Sequence, residues 1–366
     1  MIVKRILINY LRAFCEKKRI LKERKVEESL IISSYPPNVF VALTPEEKNK
    51  VIKLWGGISS EISFKEYEVY KYLRGFDERF LSHELYLPLI SHALNNYHYT
   101  KFFEDKGLLG YLSRSSRLTF PYCYVRCING ECYTNDMRQL DRRKAIMLCE
   151  DLDEFIFKIS RESSGGHGVQ KIVLRGKDQG TRKIILEKLF GESRDFVIQK
   201  IITQHPSIAK FNATSINTLR FSTLYLNNRV TIQSIVLRIG QKGAFVDNLG
   251  SGGVGVGIQK DGSLNDFGYT YALEKMDAYN GITFKGQVIT QIPEILNTIL
   301  ASHIELFPLC NFIGWDVCID KDNKPVIIEI NSSQPGISGQ QIHYGPIFGD
   351  RTQEVIDYCL QKKLVE

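Results

Sequence analysis

Two short apolar stretches joined by a polar turn constrain the fold more than any other feature of the chain. They span residues 314–319 and 325–331, and the turn between them opens with Asp-Lys-Asp-Asn. This pattern predicts two paired antiparallel strands. Side chains alternate sides along a strand, so Glu329 and Asn331 share a face, and Asp316 on the paired strand can point the same way. Three oxygen ligands on one hairpin suit Mg²⁺. The alternative is a surface hairpin with solvated acids. It fits less well because these acids interrupt apolar runs, where an unpartnered carboxylate is costly.

Length and composition indicate a folded protein with more than one structural unit. The chain has 366 residues, of which 43% are hydrophobic. No apolar run approaches the ~18 residues that a membrane-spanning helix needs, and the N-terminus lacks the pattern of a signal peptide. The eight cysteines are scattered without a CxxC pair. Cys123, Cys127 and Cys132 fall in a predicted hairpin over 121–133, where buried free thiols are favoured over a metal site. Together these features predict a reducing, cytoplasmic location.

The net charge of +7 is concentrated at the N-terminus. Residues 1–25 contain nine bases and two acids, whereas the remaining 341 residues hold 39 of each. A body without excess positive charge argues against nucleic-acid binding. The basic segment carries apolar residues at helical spacing, which predicts an amphipathic helix. Two partners fit that helix equally well, the body of the protein or an anionic membrane surface, and the second would give a peripheral membrane contact through residues 1–25.

The residue pattern divides the chain into three predicted regions. Residues 1–95 are mainly helical, with a capping box at Thr44-Pro45-Glu46-Glu47 that predicts a helix start. Residues 96–203 and 204–366 combine strands with helices, an α+β pattern with a long antiparallel component. The glycine-rich stretch 250–257 is predicted to be a flexible loop. Predicted helices span 177–190 and 290–306, and predicted strands span 120–127, 131–134, 154–159, 169–175, 195–201, 218–226, 230–239, 244–248, 312–319 and 325–331.

Four further segments carry residues that suit a phosphate-bearing ligand. Lys158 is followed by glycine-rich residues 163–169, whose backbone N–H groups can approach phosphate oxygens. The apolar strand 196–202 can offer backbone polar groups to an adenine edge. Arg220 and Arg238 project from two neighbouring predicted strands, and an arginine on a rigid strand can clamp a phosphoryl group or a carboxylate. Each segment alone is also typical of a plain turn, a buried strand or a strand-face salt bridge.

The order of these segments resembles the ATP-grasp superfamily, in which two α+β lobes with antiparallel sheets sandwich ATP. A lysine, a glycine loop, an apolar hinge, a strand arginine and the acid hairpin follow one another from Lys158 to Glu329. Over about residues 45–345 the chain further resembles the sugar-transfer-associated ATP-grasp group. The motifs that carry this resemblance are Asn217-Thr218-x-Arg220, Arg238-Ile-Gly, Asp247-Asn248, Gly252-Gly253, Ile292-Pro293 and Gly314-Trp315-Asp316…Glu329-Ile-Asn331. The expected architecture is therefore an ATP-grasp fold preceded by a mainly helical N-terminal region.

The resemblance implies roles for the residues of the candidate site. Arg220 would contact the γ-phosphate and an acyl phosphate, and Arg238 would receive the substrate carboxylate. Mg²⁺ would be held by Asp316, Glu329 and Asn331. ATP would be contacted by Lys158, Gly165, Gly166, Gly168 and Asn217, and its adenine by Gln199, Lys200, Ile201 and Ile202.

Two departures from the superfamily pattern stand out. Lys200 occupies a position where many ATP-grasp chains have an acidic residue. The Asp-Lys pair that usually opens the nucleotide lobe is blurred, because Lys101 precedes Asp105 and Lys106. Lys101 is therefore considered as a second phosphate-binding lysine.

The activity implied by the resemblance is an ATP- and Mg²⁺-dependent ligase that joins a carboxylate to an amine through an acyl phosphate. The substrates would be a small-molecule or saccharide carboxylate and an amine, in the assembly of a surface polysaccharide. No motif for a nucleophilic side chain is apparent in the sequence, and this chemistry requires none. Three alternatives are a small-molecule kinase, a peptide ligase and a non-catalytic nucleotide-binding partner of a glycosyltransferase.

Overall fold

The computed structural model describes residues 2–112, 117–161, 168–243 and 252–363. The α-helices are, in chain order, α1 (Ile2–Ser34), α2 (Pro45–Trp55), α3 (Lys65–Arg74), α4 (His83–Leu85), α5 (Ser91–Leu94), α6 (Tyr97–Glu104), α7 (Leu109–Leu112), α8 (Arg142–Glu150), α9 (Gln179–Glu192), α10 (Pro206–Ala209), α11 (Ile292–Leu306), α12 (Ser338–Tyr344) and α13 (Thr352–Lys363). The strands are β1 (Cys123–Ile128), β2 (Glu131–Tyr133), β3 (Gln139–Leu140), β4 (Glu154–Ile159), β5 (Val169–Val173), β6 (Phe196–Gln199), β7 (Thr218–Leu226), β8 (Arg229–Ile239), β9 (Val254–Ile258), β10 (Leu264–Thr270), β11 (Lys275–Met276), β12 (Ala278–Tyr279), β13 (Ile282–Thr283), β14 (Phe312–Ile319) and β15 (Pro325–Asn331).

The chain forms two compact units, one from residues 1–96 with 336–366 and the other from residues 97–335. The first unit contains α1–α5, α12 and α13. Helix α2 begins as the sequence predicts, because the Thr44 side chain accepts a hydrogen bond from the Glu47 backbone and the Glu47 carboxylate accepts one from the Thr44 backbone. Helix α1 is anchored on this unit through Arg24, whose Nε donates to Oε2 of Glu84 at 2.8 Å. The three predicted regions and their limits at 95 and 203 stay a prediction.

A buried polar network lies within the helical unit. Glu66 on α3 accepts hydrogen bonds from the Tyr70 hydroxyl and from the His83 backbone, both at 2.6 Å. The His83 ring nitrogen Nδ1 lies 2.7 Å from Oε1 of Glu66. From α12, Gln341 donates to the Tyr70 hydroxyl at 2.8 Å and accepts from the Leu81 backbone at 2.9 Å. Burial alone would lower the pKa of His83, but the neighbouring Glu66 carboxylate raises it above its ordinary value.

A six-stranded antiparallel sheet forms the first half of the second unit. Its strand order is β3-β2-β1-β6-β4-β5. One face packs on α8 and α9, and its buried residues include Phe157 of β4 and Ile198 of β6. Since neighbouring residues alternate sides, Lys158 and Gln199 lie on the opposite face. Cys123, Cys127 and Cys132 are buried and free, as predicted.

A seven-stranded sheet forms the second half of this unit, in the order β11-β10-β9-β8-β7-β14-β15. Its core face includes Phe221 of β7, Leu237 of β8 and Trp315 of β14, together with Ile295 and Ile299 of α11. The residues that alternate with these core positions face the other side of the sheet. The predicted strands 154–159, 218–226, 312–319 and 325–331 coincide with β4, β7, β14 and β15, which confirms the α+β class.

The prediction of a flexible loop over 250–257 is wrong for its second half. Residues 254–258 form β9, which is buried along its whole length. Glycine allows this strand to pack closely, because a Cβ on Gly268 of β10 would lie 2.6 Å from the carbonyl oxygen of Gly255. The predicted strand 244–248, with Asp247 and Asn248, lies outside the described residues. Within the described parts of the chain, no helix combines the length and apolar character needed to cross a bilayer.

Candidate functional site

The acid hairpin forms as predicted and brings its three oxygen-bearing side chains to one face. Strands β14 and β15 pair antiparallel with Asp316 opposite Glu329 and Gly314 opposite Asn331. Directly paired residues point to the same side of a sheet, and Asn331 is two positions from Glu329 on one strand. The alternating residues Trp315 and Ile330 belong to the hydrophobic core. The hairpin is therefore anchored by one face and presents its polar side chains on the other.

Two arginines extend the polar side chains of the hairpin into a row across the sheet. On β7, Arg220 pairs directly with Asp316. On β8, Arg238 pairs with Thr218, which is two residues before Arg220 and on the same face. The row therefore crosses four adjacent strands, with two guanidinium groups on β8 and β7 followed by two carboxylates on β14 and β15.

Asp316 is held by several ion pairs and hydrogen bonds. It is only 3% exposed, and Arg220 binds it bidentately, with Nε 2.6 Å from Oδ1 and Nη2 2.8 Å from Oδ2. Nη1 of Arg238 lies 3.4 Å from Oδ1, and Nδ2 of Asn331 donates to Oδ2 at 3.3 Å. Burial alone would raise the pKa of Asp316, but the charges of Arg220 and Arg238 lower it to about 2. The carboxylate is therefore ionised at neutral pH.

Glu329 has a cationic partner that the sequence did not single out. Nζ of Lys106 lies 2.9 Å from Oε1 of Glu329, and the lysine side chain is 7% exposed. Lys101, the predicted candidate for a second phosphate-binding lysine, lies on α6 and is exposed. The structure therefore brings Lys106, rather than Lys101, to the acid hairpin. The Asp-Lys pair at 105–106 is the sequence signal that could have identified it.

A short network fixes the backbone around Lys106. The Lys106 amide donates to the Ser160 carbonyl at 3.2 Å, and the Gly107 amide donates to the Ser160 hydroxyl at 2.6 Å. The buried guanidinium of Arg126 donates to the carbonyls of Lys106 and Gly107 at 3.3 and 3.4 Å. Ser160 follows Lys158 by two residues. The contacts thus bring the end of β4, which carries Lys158, beside the segment that carries Lys106.

Helix α6 also holds the chain that follows the acid strand, a feature that the sequence did not indicate. Oε1 of Glu104 accepts hydrogen bonds from the backbone amides of Ser332 and Ser333 at 2.9 and 2.6 Å. The Ser333 hydroxyl donates to Oε2 of Glu104 at 2.9 Å, and the Ser332 hydroxyl donates to the Thr100 carbonyl at the same distance. Residues on both sides of Asn331 are therefore fixed by residues 100–106.

The predicted phosphate loop is only partly described. Lys158 lies near the end of β4, is half-buried and pairs with Val169 of β5. Gly168 has a φ of +72°, and its carbonyl accepts a hydrogen bond from the Ile159 amide at 3.0 Å, so it lies directly beside the end of β4. Gly165 and Gly166 lie outside the described residues.

The predicted adenine-binding residues form the end of β6 and the segment after it. Gln199 is 5% exposed, its Nε2 lies 3.4 Å from Sγ of Cys123, and its Oε1 has no hydrogen-bond partner within the described chain. Lys200 is exposed and its amide donates to the Tyr122 carbonyl at 2.9 Å. Ile201 and Ile202 are half-buried. A buried amide oxygen without a partner is uncommon, and the contact of these residues with adenine stays a prediction.

Asn217 supports a loop in this structure. It is fully buried, and its amide nitrogen donates to Oε1 of Gln204 and to the carbonyls of Ile208 and Asn212. These contacts fix the segment that leads from β6 into β7. A direct role of Asn217 in nucleotide binding stays a prediction.

The chemistry of the site fits an anionic ligand with a hard cation. Three cations (Lys106, Arg220 and Arg238) surround two carboxylates, so the cluster carries an excess of positive charge. Asp316, Glu329 and Asn331 supply two carboxylates and one amide, which are ligand types of Mg²⁺. In the described chain, no group of three or more His, Cys, Asp or Glu side chains forms a candidate metal site. The hairpin thus offers two carboxylates and one amide, and their binding of Mg²⁺ stays a prediction.

Several solved structures resemble the fold at low sequence identity. D-alanyl-alanine synthetase A from Vibrio cholerae is 13% identical, with 72% of this chain and 66% of that one covered and a TM-score of 0.43. The L-amino acid ligase from Bacillus licheniformis is 15% identical, with coverages of 71% and 48% and a TM-score of 0.39. N5-carboxyaminoimidazole synthetase from Staphylococcus aureus, complexed with ADP, is 11% identical, with coverages of 69% and 52% and a TM-score of 0.41. The chain thus spans between about half and two thirds of the length of these proteins.

A family assignment comes from the sequence itself. No curated protein matches the chain. The model of the family described as sugar-transfer associated ATP-grasp matches residues 89–357, which is well over half of the chain and includes Lys106, Lys158, both arginines and the acid hairpin. The chain belongs to the sugar-transfer associated ATP-grasp family and has the ATP-grasp fold, preceded by a helical N-terminal region.

Proposed function

We propose that the protein is an ATP- and Mg²⁺-dependent carboxylate–amine ligase. A carboxylate oxygen of the acid substrate attacks the γ-phosphorus of ATP, which releases ADP and leaves an acyl phosphate. The amine then attacks the acyl carbon, so that an amide forms, a proton leaves the nitrogen and inorganic phosphate departs. The observation that carries this proposal is the row of Arg238, Arg220, Asp316 and Glu329 on one face of four adjacent strands.

The side chains of this row act together with Lys106 and Lys158 by position and charge, as phosphoryl transfer requires. Lys106 and Lys158 neutralise the triphosphate, and Arg220 meets the γ-phosphate and the acyl phosphate. Arg238 receives the substrate carboxylate. Asp316, Glu329 and Asn331 would hold Mg²⁺, which when bound supplies charge neutralisation at the transferred phosphoryl group.

The acid or the amine is proposed to be carried on a sugar. The family description, which associates this ATP-grasp group with sugar transfer, supports a saccharide substrate in surface-polysaccharide assembly. The carboxylate of a sugar acid and the amine of an amino acid form a pair of this kind.

Calorimetry and a phosphate-release screen test the proposal. Titration with ADP and Mg²⁺ should show binding, and pools of sugar acids and amino acids should reveal an acid–amine pair that releases phosphate from ATP. Glu329→Gln should lower turnover roughly hundredfold while the protein stays folded. Asp322→Asn is the matched control, because it makes the same change at an exposed position in the turn of the same hairpin. Equal activity of the two variants would contradict the role of Glu329.

The fate of a labelled oxygen separates the proposed reaction from its alternatives. An acid labelled with ¹⁸O in its carboxylate should transfer one label to inorganic phosphate. A kinase would give a stable phosphorylated product without an amine, and a peptide ligase would require two amino acids. A non-catalytic partner of a glycosyltransferase would bind nucleotide without releasing phosphate from any pool.

We also propose that α1 contacts an anionic membrane surface. Lys18, Lys22 and Lys25 lie at helical spacing on an exposed stripe of α1. The large apolar side chains Val26 and Leu30 are 48% and 51% exposed on the same helix. The excess positive charge of the whole chain resides in residues 1–25, and basic and apolar side chains together favour an anionic bilayer.

Co-sedimentation with vesicles tests the membrane contact. The full chain should bind vesicles rich in an anionic phospholipid more strongly than neutral ones. Changing Lys18, Lys22 and Lys25 to Gln should abolish that preference. The control changes three exposed lysines in and beside α9 to Gln, and these are Lys177, Lys183 and Lys188. Equal loss in both triple variants would show a response to net charge alone and would contradict a role of α1.

A further inference from the structure

The Asp316 carboxylate already has four nitrogen neighbours, two on each oxygen. An ionised carboxylate offers about four lone-pair positions, two on each oxygen. Oδ1 meets Nε of Arg220 at 2.6 Å and Nη1 of Arg238 at 3.4 Å. Oδ2 accepts Nη2 of Arg220 at 2.8 Å and Nδ2 of Asn331 at 3.3 Å. A cation can therefore reach Asp316 only if at least one of these donors moves away.

The charges around Asp316 oppose a free cation as well. The two guanidinium groups carry two positive charges to the single negative charge of the carboxylate, and the residue is only 3% exposed. Arginine keeps its charge at any pH that a folded protein experiences. A divalent ion approaching alone would thus meet a site with a net positive charge in a poorly screened environment.

A triphosphate changes this balance because it competes for the same guanidinium groups. Phosphate oxygens bind arginine bidentately, as the Asp316 carboxylate does here. Transfer of one guanidinium from Asp316 to a phosphate frees a lone pair and removes a positive charge from the same position. The amide of Asn331 presents its nitrogen to Asp316, and a rotation of that group would present its oxygen instead.

We propose that Arg220 and Arg238 form a latch on Asp316 that the phosphates of the nucleotide open, so that the divalent cation binds Asp316 only together with the nucleotide. This proposal rests on the proposed function, because it concerns the same metal ligands. It adds an order of events, in which the free protein excludes the cation and the nucleotide admits it. By thermodynamic linkage the cation then tightens nucleotide binding by the same factor.

Binding of Mn²⁺, followed by its electron paramagnetic resonance signal, tests the latch without any measurement of turnover. The full chain is titrated with Mn²⁺ alone and then in the presence of AMP-PNP, a non-hydrolysable ATP analogue, with Mn²⁺ bound by free nucleotide subtracted. We expect Mn²⁺ affinity to rise at least tenfold when AMP-PNP is present. Asp316→Asn should remove that increase, which assigns the bound ion to the hairpin.

Variants of the latch give the decisive comparison. Arg238→Met and Arg220→Met should each raise the affinity for Mn²⁺ alone at least fivefold. Arg229→Met is the matched control, because it removes an exposed guanidinium from the other end of β8, and it should leave the affinity within twofold of the unchanged chain. Thermal unfolding confirms that each variant is folded, and Arg238→Met keeps the test available if loss of Arg220 unfolds the protein.

The two ways of failing are distinguishable. Tight, Asp316-dependent binding of Mn²⁺ to the free protein would overturn the latch and leave the proposed metal site intact. The latch would also be overturned if the Arg238→Met and Arg220→Met proteins bound Mn²⁺ alone no more tightly than the unchanged chain. Absence of any Asp316-dependent binding, with or without AMP-PNP, would overturn both the latch and the proposed function.

Discussion

Nζ of Lys106 lies 2.9 Å from Oε1 of Glu329, so a lysine from the segment after α6 neutralises the acid at the end of β15. The lysine side chain is 7% exposed and the glutamate 30%. A buried ammonium group is costly unless a charge of opposite sign compensates it. When a cation occupies the hairpin, Glu329 has a second partner, and Lys106 becomes available to an anion. The pair thus suits a site where a metal ion and a phosphate group arrive together.

Loss of the Lys106 ammonium should weaken nucleotide binding. We expect Lys106→Met, which keeps the length of the side chain, to raise the dissociation constant of ADP at least tenfold, about 1.4 kcal/mol. Lys101→Met is the matched control, because that lysine is exposed on α6 five residues away, and its effect should stay within twofold. Titration calorimetry measures both. Equal affinities of the two variants for ADP would remove Lys106 from the site.

A side chain at Gly168, within the predicted phosphate loop over 163–169, should destabilise the protein. At Gly168 a Cβ would lie 2.9–3.1 Å from three atoms of Ile159, and φ is +72°. Gly176 has a φ of +76° but nothing within 4 Å, so Gly176→Ala measures the backbone strain alone, about 1–2 kcal/mol. Gly168→Ala should cost at least ~1 kcal/mol more because it also overpacks its surroundings. Denaturant unfolding compares the two variants. A smaller or equal loss at residue 168 would show that Ile159 moves aside freely.

The residues of the acid hairpin could be placed from sequence because the alternation of apolar and polar positions fixes which side chains share a face. The same alternation placed Arg220 and Arg238 on strands. Neither pattern states which strands become neighbours, so the pairing of Arg220 with Asp316 could not be predicted. Lys106 was missed for a related reason, since its partner is more than two hundred residues away in the chain. The stretch 254–258 was misassigned because glycine usually indicates flexibility, whereas here the stretch pairs as β9, and the missing side chain of Gly268 lets β10 approach the Gly255 carbonyl closely.

A buried hydroxyl links β7, β14 and α11 beneath the candidate site. Nε2 of His303 lies 2.6 Å from the Cys310 carbonyl, which can only accept, so this nitrogen carries the proton. The Thr223 hydroxyl then donates to Nδ1 of His303 and accepts the Trp315 indole N–H, both at 2.8 Å. Burial lowers the pKa of His303 to about 4, which agrees with a neutral ring.

Removal of that hydroxyl should destabilise the protein. Thr223→Val keeps the shape of the side chain but leaves Nε1 of Trp315 and Nδ1 of His303 each without a partner, and we expect a loss of about 1–3 kcal/mol. Thr223→Ser keeps the hydroxyl and should be at least ~1 kcal/mol more stable than the valine variant. Urea unfolding of the two variants measures the difference. A valine variant as stable as the serine variant would mean that the two nitrogen atoms find other partners.

The pair of His83 and Glu66 should make the stability of the protein decrease above neutral pH. Because Glu66 raises the pKa of folded His83 above its ordinary value of 6.5, the folded chain retains a proton that the unfolded chain has released. The contribution of the pair is therefore complete below pH 6.5 and is lost as pH rises through the folded pKa, with a slope of at most ~1.4 kcal/mol per pH unit for one proton. We would measure the unfolding free energies of the unchanged chain and of His83→Gln from pH 6 to pH 9. Their difference gives the contribution of the His83–Glu66 pair at each pH. Other titrating groups, including Glu27 beside this pair, contribute largely alike to both curves. The difference should shrink with rising pH, and one that stays constant would show that His83 is neutral in the folded protein.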